Sequence, residues 1–275
     1  MKHVIRSNGK LHFHSRHPVL DDIAKTFSKY NFKKVVCKNV HIYVGVHKFR
    51  HHVLPKGLNI GVQTEQFFDE NGKKLWRHTS WIKVLRQVIQ YDITLDLSPA
   101  NRPAYRFLPK FLRDRIVFGP KIFPDDDIEF VASKNDELVF FGGLSARRSQ
   151  IIQKLSSRYK ILTIKNGTFG DELFSSTKDS FGVLNLHHDT GIYTEIPRLL
   201  TAYLNGKPVY SEELGRPLVE GRHYLPIDSE LNETKAKEVF QQFKLEFVNN
   251  NLFSNFLEII NRKFGIYEHP DESKF

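Results

Sequence analysis

Leu138-Val139-Phe140-Phe141-Gly142-Gly143-Leu144-Ser145-Ala146-Arg147-Arg148 opens the part of the chain whose reading decides the fold. An apolar strand breaks at two glycines, and Ser145 to Arg148 lead into a helical stretch, Ser149 to Leu155. Lys160-Ile161-Leu162-Thr163-Ile164 is a second strand, and Phe181-Gly182-Val183-Leu184-Asn185-Leu186-His187 is a third. Glu195-Ile196-Pro197-Arg198 starts another helix, and Pro208-Val209-Tyr210-Ser211-Glu212 is a fourth strand. Strands alternating with helices imply a parallel sheet. In such sheets ligands bind beyond the carboxyl ends of the strands, which is where the polar residues of these segments fall.

The front half repeats the same grammar more loosely. Val35-Val36-Cys37, His41 to Val46, Leu58 to Val62, Asp92 to Ser98 and Arg115 to Pro120 read as strands. Trp81 to Tyr91 carries apolar residues at helical spacing, Trp81, Val84, Leu85 and Val88. The polar, acidic stretch 125–135 lies between the two strand–helix series and reads as a linker. The expected organisation is therefore an α/β domain over 1–124, the linker 125–135 and a Rossmann-like domain over 136–230. C-terminal helices over 231–264 follow, with a break at Asn249-Asn250-Asn251, and then a frayed tail over 265–275.

Composition narrows the class. The 275 residues suffice for one large or two small cores. With 40% hydrophobic and 26% charged residues the chain reads as globular. No apolar run approaches the roughly 20 residues that span a bilayer. Met1 to Ser7 has no apolar core of the signal-peptide kind. One cysteine, Cys37, excludes an internal disulfide, so a reducing cytoplasm is the expected compartment. A net charge of +10 favours anionic partners such as nucleotides, phosphorylated lipids, acidic glycans or the inner face of a membrane. The basic pairs Lys33-Lys34, Lys73-Lys74 and Arg147-Arg148 are dispersed and lie in no nucleic-acid-binding frame, which argues against nucleic acid.

The ordered series Gly142-Gly143, Arg147-Arg148, Asn185-Leu186-His187, Glu195-x-x-Arg198 and Pro208-Val209-x-Ser211-Glu212 resembles the donor-binding half of GT-B glycosyltransferases, close to the bacterial group 1 pattern. Gln63-Thr64-Glu65-Gln66 resembles that group's first domain more weakly. The resemblance implies two Rossmann-like domains facing a cleft, with C-terminal helices. It implies metal-independent sugar transfer from a nucleotide-sugar donor, UDP-linked in preference to CMP- or GDP-linked, to a glycan or lipid-linked acceptor. Surface polysaccharide synthesis at the cytoplasmic side of an anionic membrane suits that activity. A non-catalytic nucleotide- or sugar-binding module of the same fold is the alternative.

Such a transfer needs a stabilised leaving phosphate, a held ribose and an activated acceptor hydroxyl. Gly142 and Gly143 allow close backbone approach to phosphate or sugar. One of Arg147 and Arg148 is expected to meet phosphate, the other to be a surface residue. Thr168, in the loop Gly167-Thr168-Phe169-Gly170, faces the nucleotide or simply turns the chain, with Asp171 capping the next helix. Asn185 and His187 end a strand, and His187 binds donor phosphate or sugar unless it is structural. The resemblance gives Glu195 the ribose hydroxyls, with Arg198 orienting it or meeting phosphate. In the front half Glu65 is the candidate base or acceptor-positioning residue, beside Gln63 and Thr64. Asp96 and Ser98 line the acceptor side or cap a turn. Asp125-Asp126-Asp127 lies outside the strand-end context of a metal-binding DxD element and reads as a solvated loop. The spacing of His12, His14 and His17 permits a metal site but brings no further ligand in sequence.

Overall fold

The computed structural model describes residues 2–29, 36–49, 52–75 and 80–267. The chain forms two compact units. One comprises Met1–Glu65, His78–Asp126 and Asn250–Phe275, the other Gln66–Arg77 and Asp127–Asn249. None of the helices is long and apolar enough to cross a membrane, among the described residues.

The first unit starts with a hairpin. Strands β1 (Val4–Asn8) and β2 (Leu11–Ser15) run antiparallel, with Asn8 opposite Leu11. The turn between them uses Gly9 at φ 57°, a left-handed conformation that glycine adopts without steric cost. Helix α1 (Pro18–Ser28) follows, with proline in its first turn, where a missing N–H costs nothing. Its buried residues, Leu20, Ile23, Ala24 and Phe27, recur at i, i+3, i+4 and i+7. Then come β3 (Val40–Val44), β4 (Leu58–Gln63), α2 (Trp81–Gln90), β5 (Ile93–Asp96), the short α3 (Lys110–Arg113) and β6 (Ile116–Phe118). All strands from β2 to β6 are parallel and lie side by side in chain order. Along β2 the side chains alternate, so Leu11 and Phe13 share one face and His12 and His14 the other.

Two expectations are corrected here. Trp81 leaves the buried stripe of α2 and is 59% exposed, while Val84, Gln87 and Val88 face inward. Of the strand expected at Val35-Val36-Cys37, Val35 lies outside the described residues and Val36 makes only an isolated bridge to Tyr267. The Lys33-Lys34 pair also lies outside them.

The second unit is built from β7 (Glu137–Phe140), α4 (Ala146–Leu155), β8 (Lys160–Thr163), α5 (Gly170–Lys178), β9 (Gly182–Asn185), α6 (Ile196–Leu204), β10 (Val209–Ser211), β11 (Leu225–Pro226) and α7 (Glu233–Gln242). Its sheet is wholly parallel, in the order β11-β10-β9-β7-β8. Both faces are covered. Leu138 and Phe140 pack with Leu184, Tyr210 and Val239, whereas Val139 packs with Ile164 and Leu173 on the opposite side. Burial on both faces is why β7 reads as a continuous apolar run instead of an alternation.

The helix expected over Thr234 to Phe247 changes pitch. After Gln242 it widens into a π-turn, Phe243–Val248, in which the Phe243 and Phe247 rings stack at 5.2 Å. Helix α8 (Phe253–Phe264) then belongs to the first unit and ends on Gly265 at φ 57°. Phe253 is fully buried and stacks on Phe27 at 4.1 Å. Residues 265–267 are not frayed. Ile266 is fully buried, and its carbonyl accepts the Cys37 amide at 2.8 Å, so the main chain there is pinned. The remainder of the expected tail, 268–275, lies outside the described residues.

Phe253→Ala is expected to cost about 3–5 kcal/mol, because a buried phenyl ring is replaced by a void against Phe13 and Phe27. Urea unfolding measures it, and a cost under ~1 kcal/mol would contradict this packing.

Candidate functional site

In the second unit β8 lies on one side of β7 and β9 on the other. The connections from β7 and β9 therefore diverge, and their carboxyl ends frame the topological switch point where open parallel sheets place ligands. The loop after β7 carries Gly142 at φ 115°. A Cβ there would be strained and would lie 3.1 Å from an Arg198 nitrogen, so glycine is required. Gly143 differs: a Cβ on it would meet nothing within 4 Å. Its backbone borders open space. Helix α4 then begins, with the Ser145 hydroxyl accepting the Arg148 amide at 3.3 Å. The first-turn amides of α4 and its dipole favour an anion at this end.

Behind the loop lies a charged triad. Arg148 and Arg198 are 4% and 6% exposed. Glu195, the residue before α6, joins them, with Oε1 accepting from Arg148 at 2.6 Å and Oε2 paired to Arg198 at 2.7 Å. Arg148 also donates to the Leu186 carbonyl, at 3.0 and 2.7 Å, and to the Gly143 carbonyl at 2.8 Å. Arg198 donates to the Asn185 side chain at 2.5 Å and to the Phe141 carbonyl at 3.2 Å. Burial pushes the Arg198 guanidinium below its usual pKa, while Glu195 opposes that shift.

The structure narrows the open expectations for Arg148 and Arg198 and corrects the one for Asn185. Arg148 is no surface residue; it shapes the loop from inside. Arg198 is likewise internal and orients Glu195. Asn185 is fully buried, with its amide group shared between Arg198 and the Ser211 hydroxyl, so it braces the site without facing a ligand. Glu195 keeps 23% of its side chain exposed, and each carboxylate oxygen retains a lone pair for a further donor.

Arg147 is 30% exposed and forms a two-pronged pair with Glu212, which also accepts the His187 amide at 2.7 Å. Burial raises the Glu212 pKa, and the Arg147 and His187 hydrogen bonds outweigh it, so the carboxyl is held below its usual value. Glu212 was legible as part of the strand-end motif but not as the brace between β9 and α4. His187 is 2% exposed and contacts the Tyr193 ring at 4.2 Å. Its Nε2 bonds to the Glu213 carbonyl at 2.8 Å, which requires the proton on Nε2. Nδ1 is then a bare, buried acceptor without a partner. Burial lowers the His187 pKa, so the neutral ring prevails. In that tautomer His187 can accept from a hydroxyl and cannot donate to a phosphate. Tyr193 had no sequence signal.

Thr168 is half-buried in the turn after β8, its amide donating to the Lys165 carbonyl at 3.1 Å. Asp171 lies in the first turn of α5 rather than at its cap, which is Phe169. Asp125, Asp126 and Asp127 are exposed; Asp125 accepts from Ser254 and Asp127 pairs with Lys244.

The candidates of the first unit cluster at the carboxyl ends of β4 and β5. Gln63 is 1% exposed and held between the Gln87 side chain and the Glu65 amide. The Thr64 hydroxyl is buried without a partner. Glu65 reaches the surface, 3.8 Å from His47. Asp96 is fully buried, and its carboxylate takes the Ser98 amide at 2.9 Å, the Asn101 amide group at 2.9 and 3.1 Å and the Tyr105 hydroxyl at 2.5 Å. Asp96 and Ser98 thus organise the turn after β5. Of the two roles expected for this pair, lining the acceptor side or capping a turn, their contacts are those of the second.

No protein-family model matches the chain. No curated protein sequence is significantly similar to it. Among solved structures, the chain is similar to a point variant of S. aureus TarM in complex with Fondaparinux, alpha-GlcNAc-glycerol and UDP. The identity is 10% and the TM-score 0.48, over 81% of this chain and 55% of that one.

Asp96 supplies a pH test. Burial outweighs its hydrogen bonds and lifts its pKa from 3.8 to about 7. A carboxyl that holds its proton more tightly when folded stabilises the fold while protonated, so stability declines as pH rises from about 4 to about 7. Asp96→Asn lacks that titration. The stability gap between parent and variant should therefore shrink by about 2–3 kcal/mol between about pH 5 and about pH 8, read from urea unfolding. A gap that widens with pH would refute the assignment.

Proposed function

We propose that this chain transfers a sugar from a nucleotide-sugar donor to a glycan or lipid-linked acceptor, with the second unit binding the donor. The observation that carries the reading is the switch point of that unit. There an open glycine edge, a helix N-terminus and a carboxylate held by two buried guanidiniums share one strand-end region. Each part suits one portion of such a donor. The diphosphate lies along Gly143 and the first turn of α4, where amides and a net positive charge offset its own. Three guanidiniums, Arg147, Arg148 and Arg198, stand there against two partly buried carboxylates, Glu195 and Glu212, and the exposed Asp189, whose charge water screens. Glu195 accepts the ribose hydroxyls with its remaining lone pairs. His187 Nδ1 accepts a hydroxyl of the transferred sugar. Thr168, after the neighbouring strand, lies toward the base. In the first unit Glu65 takes the acceptor proton, since it is the exposed carboxylate of the Gln63-Thr64-Glu65 strand end. UDP-linked donors are favoured, and the basic surface suits an anionic acceptor or membrane face.

Gly143→Val separates binding from folding, because the added side chain projects into open space. Its unfolding midpoint should match the parent's, while UDP-sugar affinity by calorimetry falls at least ~10-fold. Parent-like affinity would remove the phosphate assignment. Glu195→Gln should weaken nucleotide binding by about 30- to 1000-fold, and it should also destabilise the chain, since Arg148 and Arg198 lose their shared counter-charge. Glu65→Gln should leave nucleotide affinity unchanged and abolish turnover. A chain that binds donor but turns none over would be the non-catalytic module.

Donor binding in the second unit should survive EDTA, because phosphate charge is met there by amides and guanidiniums. Loss of binding in EDTA with recovery in manganese would return Asp125 to Asp127 to consideration.

A further inference from the structure

The first unit carries a feature that sugar transfer does not use. One face of its sheet is lined by imidazoles. The register of β2 against β3 sets His12 beside His41 and His14 beside Tyr43. His14 is 4% exposed and stacks on the Tyr43 ring at 4.3 Å. Two rings from other segments close on it. His3, just before β1, places Nε2 3.0 Å from His14 Nδ1. His52, before β4, meets the His3 ring edge-on at 5.0 Å. One nitrogen from each of the three lies within 4.8 Å of the other two.

We infer that His3, His14 and His52 form a three-nitrogen site for a single late first-row divalent cation of the zinc class. Three imidazoles are a donor set such cations accept, and a fourth position is left for water or an anion. Metal–nitrogen bonds of about 2.0–2.1 Å in tetrahedral array separate the nitrogens by about 3.3 Å. The His3–His14 pair opens by a few tenths of an ångström to reach that, and His52 moves inward by a rotation of its ring.

The surroundings fit a ligand role. The other nitrogen of His14, Nε2, lies 3.1 Å from His41 Nδ1, and His41 is itself bonded to the Lys56 backbone. Ligating histidines are commonly held this way through their second nitrogen, which fixes tautomer and ring plane. Phe49 and Tyr43 wall the cluster with aromatic carbon. Arg16 opposes the cation: its guanidinium donates to His52 Nδ1 at 3.2 Å, and it must withdraw, or the ring turn over, when His52 ligates. His3, His14 and His41 form a hydrogen-bonded row, with His52 against its His3 end.

The test uses the full chain, stripped with EDTA and transferred to chelator-free buffer. Zn²⁺ is titrated by calorimetry and Co²⁺ by its visible absorption. One equivalent of either should bind, with the intense bands of four-coordinate cobalt, and zinc should raise the unfolding midpoint. His3→Gln and His52→Gln, at half-buried positions, should each weaken binding at least ~10-fold, with neither folding nor UDP-sugar binding lost. His188→Gln, an exposed histidine of the second unit, should bind as the parent does. His14→Ala removes the central ligand and should abolish the cobalt bands. Absence of saturable uptake of both cations, or uptake unchanged in His3→Gln and His52→Gln, overturns the inference.

Discussion

The carboxylate of Glu195 between the guanidiniums of Arg148 and Arg198 is the constraint around which the second unit's carboxyl edge is arranged. Two nearly buried arginines are tolerable only if their charge and most of their donors are met inside the fold; Arg198 Nε is left without a partner. One carboxylate supplies charge, and the carbonyls of Phe141, Gly143 and Leu186 supply acceptors. Those carbonyls belong to the loops leaving β7 and β9. Satisfying the arginines therefore sets the path of both loops, the left-handed turn at Gly142 and the exposed edge at Gly143. Truncating Glu195 would strip a counter-ion from two places at once, which is why its contribution to folding and its contribution to ligand binding are inseparable in that residue.

The two units use the same materials to different effect. In the first, strands β2 to β6 follow chain order across the sheet, so no pair of neighbouring connections diverges. Its polar strand ends are spent on local structure: Asp96 draws Ser98, Asn101 and Tyr105 around itself, and Gln63 ties Glu65 to Gln87. In the second unit, the reversal at β7 makes neighbouring connections diverge, and Gly143 and Glu195 keep exposed surface at that end.

Much of this was legible in sequence for a physical reason. Strands buried on both faces, such as Leu138 to Phe140, announce themselves as unbroken apolar runs, and glycines and prolines mark where they stop. The hairpin around Asn8-Gly9 and the i, i+3, i+4, i+7 stripe of α1 carry signals of the same kind. Burial of charge was not readable. Nothing in Arg147-Arg148 says that one guanidinium pairs at the rim while its neighbour turns inward, since that depends on a carboxylate 47 positions on, as the hydrogen bond from Arg148 to Glu195 shows. The histidine row was hidden for a similar cause. His12, His14 and His17 share a spacing, but the rings that meet His14 come from residues 3 and 52, brought there by strand register.

The bridge of Val36 to Tyr267 and the bond from the Cys37 amide to Ile266 join the first unit's early chain to its last described segment. During synthesis this inverts the usual order. All of Gln66–Arg77 and Asp127–Asn249 has emerged before α8 exists, so the second unit can close while the first still lacks the helix that covers Phe13 and Phe27. Domains generally fold as their chain is completed, from the N-terminus onward. Here the first unit cannot complete its core until α8 has been made, after the whole of the second unit.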